Sequence, residues 1–540
     1  MANEVLRLCM SKGFFLDKEV LELFSGLSTE DAGKVVDALK GFGVEERVIS
    51  RKLFENYLEK LRAVLVKEKG DKMYNFLEVA SGGGDGLILK TPQESSPALE
   101  ETRESEGEIT GKVKLISAPA FPQKKINVKD FVKHFRSRYE SIKLMLEGRD
   151  FENLSSIRKI GDRKGNYTII AAVLNKRVTK NKNLFVEVED LTGTSVVLIN
   201  QNKKEVFEKG RDLLRDDIVA FKVSGDSDML FANDIVYPEA SLSEKRYSKF
   251  DEYVAFLSDF HVGSTMFLEK NLLNFIKWLN GKMGDEDQRI LAGKVKYLFL
   301  LGDNIDGVGH YPGQERYLIQ KTSKGQYDKL GEILDKVRKD VRMIMCPGQH
   351  DAVWVGEPQP IIGERFAESL HKIKNLTLVP NPSLIEIDGG FRILMYHGAS
   401  INRFIDEMAE IRTKFGHSSP TRVVREMLKR RHLAPVHGLM DYIPCERGDS
   451  LVISKIPDIL ATADQHRAEV SVFNNILMVA SSCWQTITPF EEKVGNVPDP
   501  CKVPLFNLKT REIKILDFSD EPKEIKWEEG ENLICKLEGK

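Results

Sequence analysis

The sequence predicts a multidomain protein with an N-terminal α-helical module, a small β-barrel and a larger α/β domain. Its length of 540 residues is about three times that of a typical domain. Apolar residues recur at helical spacing near the start and in short alternating runs between about 155 and 239. From about 250 to 520, apolar strands alternate with helical segments, which is the pattern of an α/β domain.

The charge balance and the cysteines exclude several classes of protein. Lysine and arginine total 80 and aspartate and glutamate total 82, so the formal net charge is −2. This balance excludes a uniformly basic nucleic-acid coat and leaves a local basic groove open. The six cysteines lie far apart without a CxxC pair, which argues against a disulfide framework or a zinc knuckle. Apolar runs are far shorter than the roughly 20 residues that span a bilayer, and the start lacks a secretion signal, so we expect a cytoplasmic protein without a membrane anchor.

The first 150 residues predict three segments. Residues 1–80 predict a helical docking module, with a capping box at 28–31 before an apolar helical stripe that ends at Gly41. Residues 81–125 predict an acidic, disordered linker, because positions 81–111 hold seven acidic residues against two basic ones and few large apolar groups. Residues 126–150 predict a connecting helix with a continuous apolar stripe.

Residues 151–240 predict a small barrel of the OB type. Five short strands are predicted, at 167–174, 184–188, 194–199, 217–223 and 231–237. Residues 155–239 hold 14 basic and 13 acidic residues, and this near-neutrality weakens the case for an autonomous single-strand binder. Binding of nucleic acid and packing between domains both stay open for this barrel.

Five apolar strands between 250 and 520 each run into a polar cluster. The clusters lie at 258–261 (SDFH), 302–306 (GDNID), 348–351 (GQHD), 397–398 (HG) and 463–466 (ADQH). Loops at strand ends converge in α/β folds, so we expect these side chains to lie together. A single Asp-x-His motif often occurs by chance, and most single histidines are simply packed in a core or solvated. Five such clusters in this order favour a functional site.

Aspartate, histidine and amide oxygens together suit two divalent ions of hard to borderline character. Two such ions about 3.5–4 Å apart bind both the attacking and the leaving oxygen of a phosphate ester. The five clusters therefore predict hydrolysis of a phosphate ester.

The order of the clusters resembles that of the calcineurin-like metallophosphoesterases. Three further stretches resemble the small subunit of archaeal family-D DNA polymerases: HYPGQE at 310–315, KRRHLAP at 429–435 and WQTITPF at 484–490. The resemblance covers about 126–520 and implies an OB-fold followed by a calcineurin-like α/β domain over 250–520, a β-sandwich flanked by helices. The charged tail at 521–540 carries no assignment.

The resemblance also implies a function in DNA replication. The chain would be the small subunit of a replicative polymerase, bound to the large catalytic subunit and to DNA, and would proofread single-stranded or mispaired ends as a 3′→5′ exonuclease. Two divalent ions are implied, with Mn²⁺ favoured and Mg²⁺, Zn²⁺ or Fe also compatible. The alternative is a weakened or inactive phosphoesterase that serves as a scaffold.

Position by position, the resemblance implies a ligand set for each ion. The first ion would be held by Asp259, His261, Asp303 and His466. The second would share Asp303 and add Gln349, His397 and Asp464. His350 would contact the phosphate or protonate the leaving oxygen, and Asp351 would orient His350.

Two of these residues depart from the family pattern, and both belong to the second ion. Gln349 stands where the family has asparagine, and Asp464 stands where the family has a histidine. Both remain oxygen donors, which favours a harder site that selects Mn²⁺ or Mg²⁺ over Zn²⁺. The opposite interpretation is decay of the site, because a displacement of about 1 Å can cost a hundredfold in rate.

A basic run lies on a predicted helix between the fourth and fifth clusters. Its members are Arg422, Arg425, Lys429, Arg430 and Arg431. Such a run is able to follow a DNA backbone. A solvated face or a contact with the large subunit explains the run equally well.

Overall fold

The structure is a computed structural model that describes residues 111–122, 125–494, 496–519 and 527–529. Of the first hundred residues it describes 29–42 and a few short stretches and single positions. The chain forms two compact units, Met1–Glu101 and Thr102–Lys540. In the first unit, strands β1 (Phe15–Leu16) and β2 (Val48–Ile49) pair in parallel and helix α1 spans Thr29–Gly41. The helical module as a whole stays a prediction, and residues 81–110 of the predicted linker lie outside the described residues.

The predicted linker is wrong for its last part. Residues 113–117 form strand β3 (Val113–Ser117), which pairs antiparallel with residues 384–387. The acidic stretch before it masked this short strand in the composition. Helix α2 (Val128–Glu147) follows and confirms the predicted helix, and the Asn127 side chain caps it by accepting a hydrogen bond from the backbone of Lys129.

The next segment forms a closed five-stranded barrel in the order β4-β5-β6-β8-β7. Its elements are β4 (Gly165–Val178), β5 (Leu184–Asp190), β6 (Gly193–Ile199), α3 (Lys204–Arg211), β7 (Ile218–Gly225) and β8 (Leu230–Val236). All five predicted strands are therefore present. Alternate residues of β5, including Val186 and Val188, point into the barrel core, as the period of two requires. The specific OB assignment stays a prediction.

Two mixed sheets form the α/β domain. The first sheet has the order β12-β11-β10-β9-β18-β19-β20 and the second has the order β16-β17-β15-β14-β13-β3. The strands are β9 (Tyr253–Leu257), β10 (Val295–Leu301), β11 (Arg342–Cys346), β12 (Leu376–Leu378), β13 (Ser383–Ile387), β14 (Arg392–Met395), β15 (Ile459–Thr462), β16 (Glu469–Phe473), β17 (Ile476–Ala480), β18 (Lys502–Asn507), β19 (Ile513–Asp517) and β20 (Trp527–Glu529). The helices are α4 (Glu269–Leu279), α5 (Glu286–Gly293), α6 (Ser323–Leu334), α7 (Glu364–His371), α8 (Ile401–Glu407), α9 (Ala409–Lys414), α10 (Pro420–Arg430) and α11 (Pro489–Val494).

The two sheets pack face to face, and helices cover their outer faces. One apolar core joins residues of both sheets, such as Phe256 and Phe299 of the first and Ile393 and Met395 of the second. A second core packs α4, α6 and α7 on the first sheet, and a third packs α8, α9 and α10 on the second. Strand β9 is buried along its whole length, which explains its unbroken apolar sequence. None of the described helices is long and apolar enough to cross a membrane.

The basic run on α10 corrects one prediction. Arg430 and Arg431 are only 3% and 5% exposed, so neither presents its charge to a DNA backbone. Arg430 donates to the Asp217 carboxylate at 2.8 Å, and Arg431 donates to the carbonyl of Ile453 at 2.7 Å. The contact with DNA was predicted from charge alone. The partner of Arg430, Asp217, lies more than two hundred residues earlier in the chain, directly before β7.

The rest of the run differs from member to member. Lys429 is half-buried and forms an ion pair with Asp212 at 3.3 Å. Arg422 is half-buried over the ring of Phe415, and Arg425 is exposed. For Arg422 and Arg425 a contact with DNA stays a prediction.

Candidate metal centre

Five strand ends place the predicted ligands and His350 in one cluster, which we call the metal centre. Asp259 and His261 follow β9, Asp303 follows β10, Gln349 and His350 follow β11, His397 follows β14, and Asp464 and His466 follow β15. The parallel strands β9, β10 and β11 end at one edge of the first sheet, and β14 and β15 end at one edge of the second. Most of these side chains are buried, while Gln349, His350 and His466 are partly exposed and open the centre to solvent.

Three of the four residues predicted for the first ion lie within reach of one cation. The ligand atoms of Asp259, His261 and His466 all lie within 4.8 Å of one another. His466 Nε2 lies 3.6 Å from Asp259 Oδ1 and 3.3 Å from His261 Nε2. The fourth residue, Asp303, groups with Asp259 and His397 within the same limit. Asp259 therefore belongs to both groups, and Asp303 Oδ2 lies 3.4 Å from His397 Nε2 of the second ligand set.

Two of the atoms that would bind a metal are buried without a hydrogen-bond partner. Among the described residues, Asp259 Oδ1 and His397 Nε2 have no hydrogen-bond partner; His466 Nε2 lies 3.6 Å from the former and Asp303 Oδ2 lies 3.4 Å from the latter. A buried polar atom left unpaired costs about 1–3 kcal/mol, and more when it is charged. A divalent cation would satisfy such atoms, and carboxylate and imidazole are ligands that Mn²⁺, Zn²⁺ and Fe accept. The residues present therefore fit a divalent metal.

The backbone is strained where the ligands leave their strands. Five of them have φ in the left-handed region: Asp259 (49°), His261 (48°), Asp303 (47°), Asp464 (67°) and His466 (54°). This conformation is sparsely populated by residues other than glycine and costs of the order of 1–3 kcal/mol at each position. Such strain persists where the surrounding structure holds it, and it turns each side chain sharply toward the centre.

Two histidines are oriented through the ring nitrogen that faces away from the centre. His397 Nδ1 lies 2.7 Å from the carbonyl oxygen of Leu301, and His466 Nδ1 lies 2.8 Å from Glu491 Oε1. Donation from Nδ1 leaves the lone pair on Nε2, which is the tautomer that binds a metal. Glu491 was not among the predicted site residues, because nothing in its sequence context distinguishes it from the neighbouring Glu492.

His350 is oriented differently from the prediction. Its Nδ1 lies 2.8 Å from the carbonyl oxygen of Asp306, whereas Asp351 was predicted to orient the ring. The Asp351 carboxylate instead accepts hydrogen bonds from the Gly348 backbone and the Tyr327 hydroxyl, both at 2.8 Å. Burial raises the pKa of Asp351 to about 6. Asp351 therefore holds the loop after β11 in shape and does not contact the His350 ring.

The two residues that depart from the family pattern bond to each other. Gln349 Nε2 donates to Asp464 Oδ1 at 2.6 Å. The other oxygen of Asp464 accepts from Asn402 Nδ2 at 3.0 Å and from Gln465 Nε2 at 2.9 Å. Burial raises the pKa of Asp464 to about 7. Gln349 and Asp464 of the second ligand set are thus bonded to each other, whereas His397 Nε2 of the same set has no hydrogen-bond partner.

Comparison with known proteins places the chain in a family. Residues 254–471 match the family model described as the B-subunit of DNA polymerase alpha/epsilon. The DNA polymerase II small subunit of Methanothermobacter thermautotrophicus is 35% identical over 393 residues, which cover 72% of this chain and 79% of that protein. The chain belongs to the DNA polymerase II small-subunit family. The member from Archaeoglobus fulgidus is 36% identical over 380 residues, 70% of this chain and 75% of that protein. The family predicted from the sequence motifs is confirmed.

The solved structures that match this chain do so with low TM-scores and low sequence identity. The zinc complex of Vps29 from Entamoeba histolytica has 14% identity and a TM-score of 0.26, and it covers 51% of this chain and 97% of its own. The phosphoesterase YfcE from E. coli has 12% identity and a TM-score of 0.24, with 51% and 98% covered. These values are too low to add to the fold that the two sheets already define.

Proposed function

We propose that this family member is the proofreading subunit of a DNA polymerase, a metal-dependent 3′→5′ exonuclease that removes unpaired or mispaired ends. The observation that carries the proposal is the convergence of Asp259, His261, Asp303, His397 and His466 at strand ends, with Asp259 Oδ1 and His397 Nε2 buried and without a hydrogen-bond partner. Polymerisation would belong to a large partner subunit, since the relatives are named small subunits. The substrate would be the 3′ end of DNA.

The chain's own residues have separate tasks in this chemistry. Asp259, His261, Asp303 and His466 would hold one ion, and His397 with Gln349 and Asp464 would complete the second set around Asp303. Bound cations lower the pKa of water and stabilise charge on a phosphodiester. This division of tasks leaves proton transfer to His350.

His350 is positioned to handle the proton of the leaving group. Its Nδ1 contact with the Asp306 carbonyl leaves Nε2 for the substrate. Burial lowers the pKa of His350, so the ring is largely neutral before substrate binds. The negative charge of an entering phosphodiester favours the protonated ring, which would then donate from Nε2 to the leaving 3′ oxygen.

A second candidate function is a polymerase scaffold without hydrolysis. The bond between Gln349 and Asp464 favours it, because a second ion has to displace an amide from a carboxylate that three donors already satisfy. The same bond is also compatible with a second site of lower affinity. The two functions share a partner and differ only in whether the second ligand set works.

The deciding experiment is degradation of single-stranded DNA by the purified complex with its large subunit. We expect Mn²⁺-dependent loss of nucleotides from the 3′ end, abolished by Asp303→Ala and by His350→Ala without loss of complex assembly. His371→Ala, which removes a ring bonded to the carbonyl of Ile362, is the matched control and should retain activity. A complex that extends primers and degrades nothing would establish the scaffold. Activity that survives His350→Ala would refute the role of that ring.

A further inference from the structure

A glycine-rich loop stands at the open side of the metal centre. It runs from Gly307 to Gly313, and its three glycines, including Gly309, adopt left-handed φ values of 72°, 84° and 83°. Gln326 clamps its start: Oε1 accepts from the Gly307 backbone N–H at 2.9 Å and Nε2 donates to the Gly307 carbonyl at 3.0 Å. The loop therefore has a defined path from its first residue.

The far end of the loop is fastened to the metal centre. The Gln314 side chain donates to both the carbonyl and the carboxylate of Asp306 at 2.9 Å, and its oxygen accepts from the backbone of His310 at 2.9 Å. Asp306 in turn faces the ligand His261, with Oδ1 at 3.4 Å from Nδ1. The six residues between Gly307 and Gln314 are thus held by hydrogen bonds at both ends.

Aromatic rings continue from the metal ligands into this loop. The edge of His350 meets the ring of His261 at a centroid distance of 4.9 Å. His310 stacks on His350 with centroids 4.5 Å apart and planes 23° from parallel. Tyr311 follows directly and is 43% exposed. The stacked rings therefore run from His261 through His350 to the exposed His310, and Tyr311 is the next residue in the chain.

Exposed apolar groups accompany Tyr311. Val308 of the same loop is 47% exposed, and Trp354, in the loop that follows β11, is 40% exposed. Trp354 is held in place, because Nε1 donates to the Pro358 carbonyl at 2.7 Å and its ring meets Phe121 edge-on at 5.6 Å. A solvent-facing tyrosine on a loop that is clamped at both ends beside a phosphodiester site suits the flat face of a nucleobase.

We propose that Tyr311 stacks on the base of the penultimate nucleotide of a single-stranded 3′ end. This inference rests on the proposed function, in which His350 protonates the leaving 3′ oxygen, and that oxygen belongs to the penultimate nucleotide. Since His310 stacks on His350 and Tyr311 follows His310 in the chain, the base of that nucleotide would lie on the side of this loop. A base that is paired in a duplex is not free to stack there, so Tyr311 would select unpaired DNA.

The test combines a protein change with a substrate change. The complex carrying Tyr311→Ala, Tyr311→Phe or the control Tyr247→Ala is assayed on an oligonucleotide with a normal or an abasic penultimate residue. Tyr247 is an exposed tyrosine, at 59%, in the segment before β9. We expect Tyr311→Ala to raise KM for the normal oligonucleotide about 5- to 150-fold, the range for loss of one stacked base, with kcat little changed. Tyr311→Phe and Tyr247→Ala should behave like the parent complex.

The abasic substrate identifies the contact. With the parent complex, an abasic penultimate residue should raise KM by about the same factor as Tyr311→Ala does. With the Tyr311→Ala complex, the same abasic residue should not raise KM further. When the terminal residue is abasic instead, Tyr311→Ala should still raise KM. The proposal is overturned if Tyr311→Ala raises KM equally for the normal oligonucleotide and for the one with an abasic penultimate residue, or if it raises KM for neither. Failure of Tyr311→Ala to assemble with the large subunit also overturns it, since the loop would then be a subunit contact.

Crosslinking separates this inference from the proposed function. An oligonucleotide with 5-bromodeoxyuridine at the penultimate position is irradiated with the complex in EDTA, and the attached peptide is identified by mass spectrometry. Attachment at Tyr311 supports the stacking contact even if the parent complex hydrolyses no DNA. Attachment elsewhere, with none at Tyr311, overturns it.

Discussion

Replacing Glu491 by glutamine removes one charge beside the metal centre and leaves the shape unchanged. Glu491 is 6% exposed, and its Oε1 lies 2.8 Å from His466 Nδ1. Burial alone would raise the pKa of Glu491, but the hydrogen bond and charge of His466, together with the hydrogen bonds from Thr488, outweigh burial and hold that pKa below its ordinary value. The carboxylate is therefore ionised at neutral pH and fixes the Nδ1–H tautomer of His466.

The expected effect follows from the bond that is lost. A hydrogen bond to a buried charged group contributes about 1.5–3 kcal/mol, which corresponds to roughly 10- to 150-fold in a binding constant. Removing the carboxylate partner of a metal-bound histidine typically costs 10- to 100-fold in metal affinity. In Glu491→Gln the amide presents either a second donor or a weaker neutral acceptor to His466 Nδ1. We expect the Mn²⁺ dissociation constant of the first site to rise about 10- to 100-fold.

The assay is a titration of the full chain with Mn²⁺, in which electron paramagnetic resonance measures the concentration of free Mn²⁺ at each step. The matched control is Glu492→Gln, which removes the same charge one residue later from an exposed position on α11. The carboxylate of Glu491 also accepts from the backbone and hydroxyl of Thr488 at 2.9 Å, and glutamine keeps an oxygen for those bonds. Unchanged affinity in Glu491→Gln, or an equal loss in Glu492→Gln, would refute the role given to Glu491.

Three further results are expected. Gln349→Asn and Asp464→His each break the 2.6 Å hydrogen bond between these two side chains. The change in Zn²⁺ binding free energy of the double variant should therefore differ from the sum of the two single changes by about 0.5–3 kcal/mol. Additive changes would show that the two residues act as independent ligands. Burial raises the pKa of Glu357 from 4.5 to about 7, so the folded protein holds an extra proton between those values and loses up to about 3 kcal/mol of stability as pH rises through them. Glu357→Gln should therefore flatten the change of Tm between pH 5 and pH 8, and an unaltered slope would contradict the assignment. Arg430→Met leaves the Asp217 carboxylate buried without its ion-pair partner, which should lower the free energy of unfolding by about 3–5 kcal/mol. Tm should fall while DNA affinity stays constant. A normal Tm together with lost DNA binding would restore the predicted DNA contact.

The ligand-bearing strands were predictable because their signal is local. All five residues of β9 are buried, so the strand reads as an unbroken apolar run directly before Asp259. The same holds for β15 before Asp464. Each apolar strand and its polar cluster lie within a dozen residues, and the order of the clusters along the chain is enough to indicate the site.

The errors concern contacts that depend on tertiary structure. Glu491 meets His466 across 25 residues, and Arg430 meets Asp217 across 213 residues, so neither partner is visible in a local pattern. Asp351 was assigned to its sequence neighbour His350, but the turn after β11 points its carboxylate at Tyr327 instead. Strand β3 was missed because five residues at the edge of a sheet carry too little pattern to stand out beside an acidic stretch.

The ligands of the metal centre are divided between two sheets that meet through side chains. Asp259 and Asp303 belong to the first sheet, whereas His397 and His466 belong to the second. A slide of one sheet over the other by a fraction of an ångström would therefore change distances inside both ligand sets at once. A shift of the helices that cover either outer face would change the position of one sheet relative to the other, and with it the distances on which metal affinity depends.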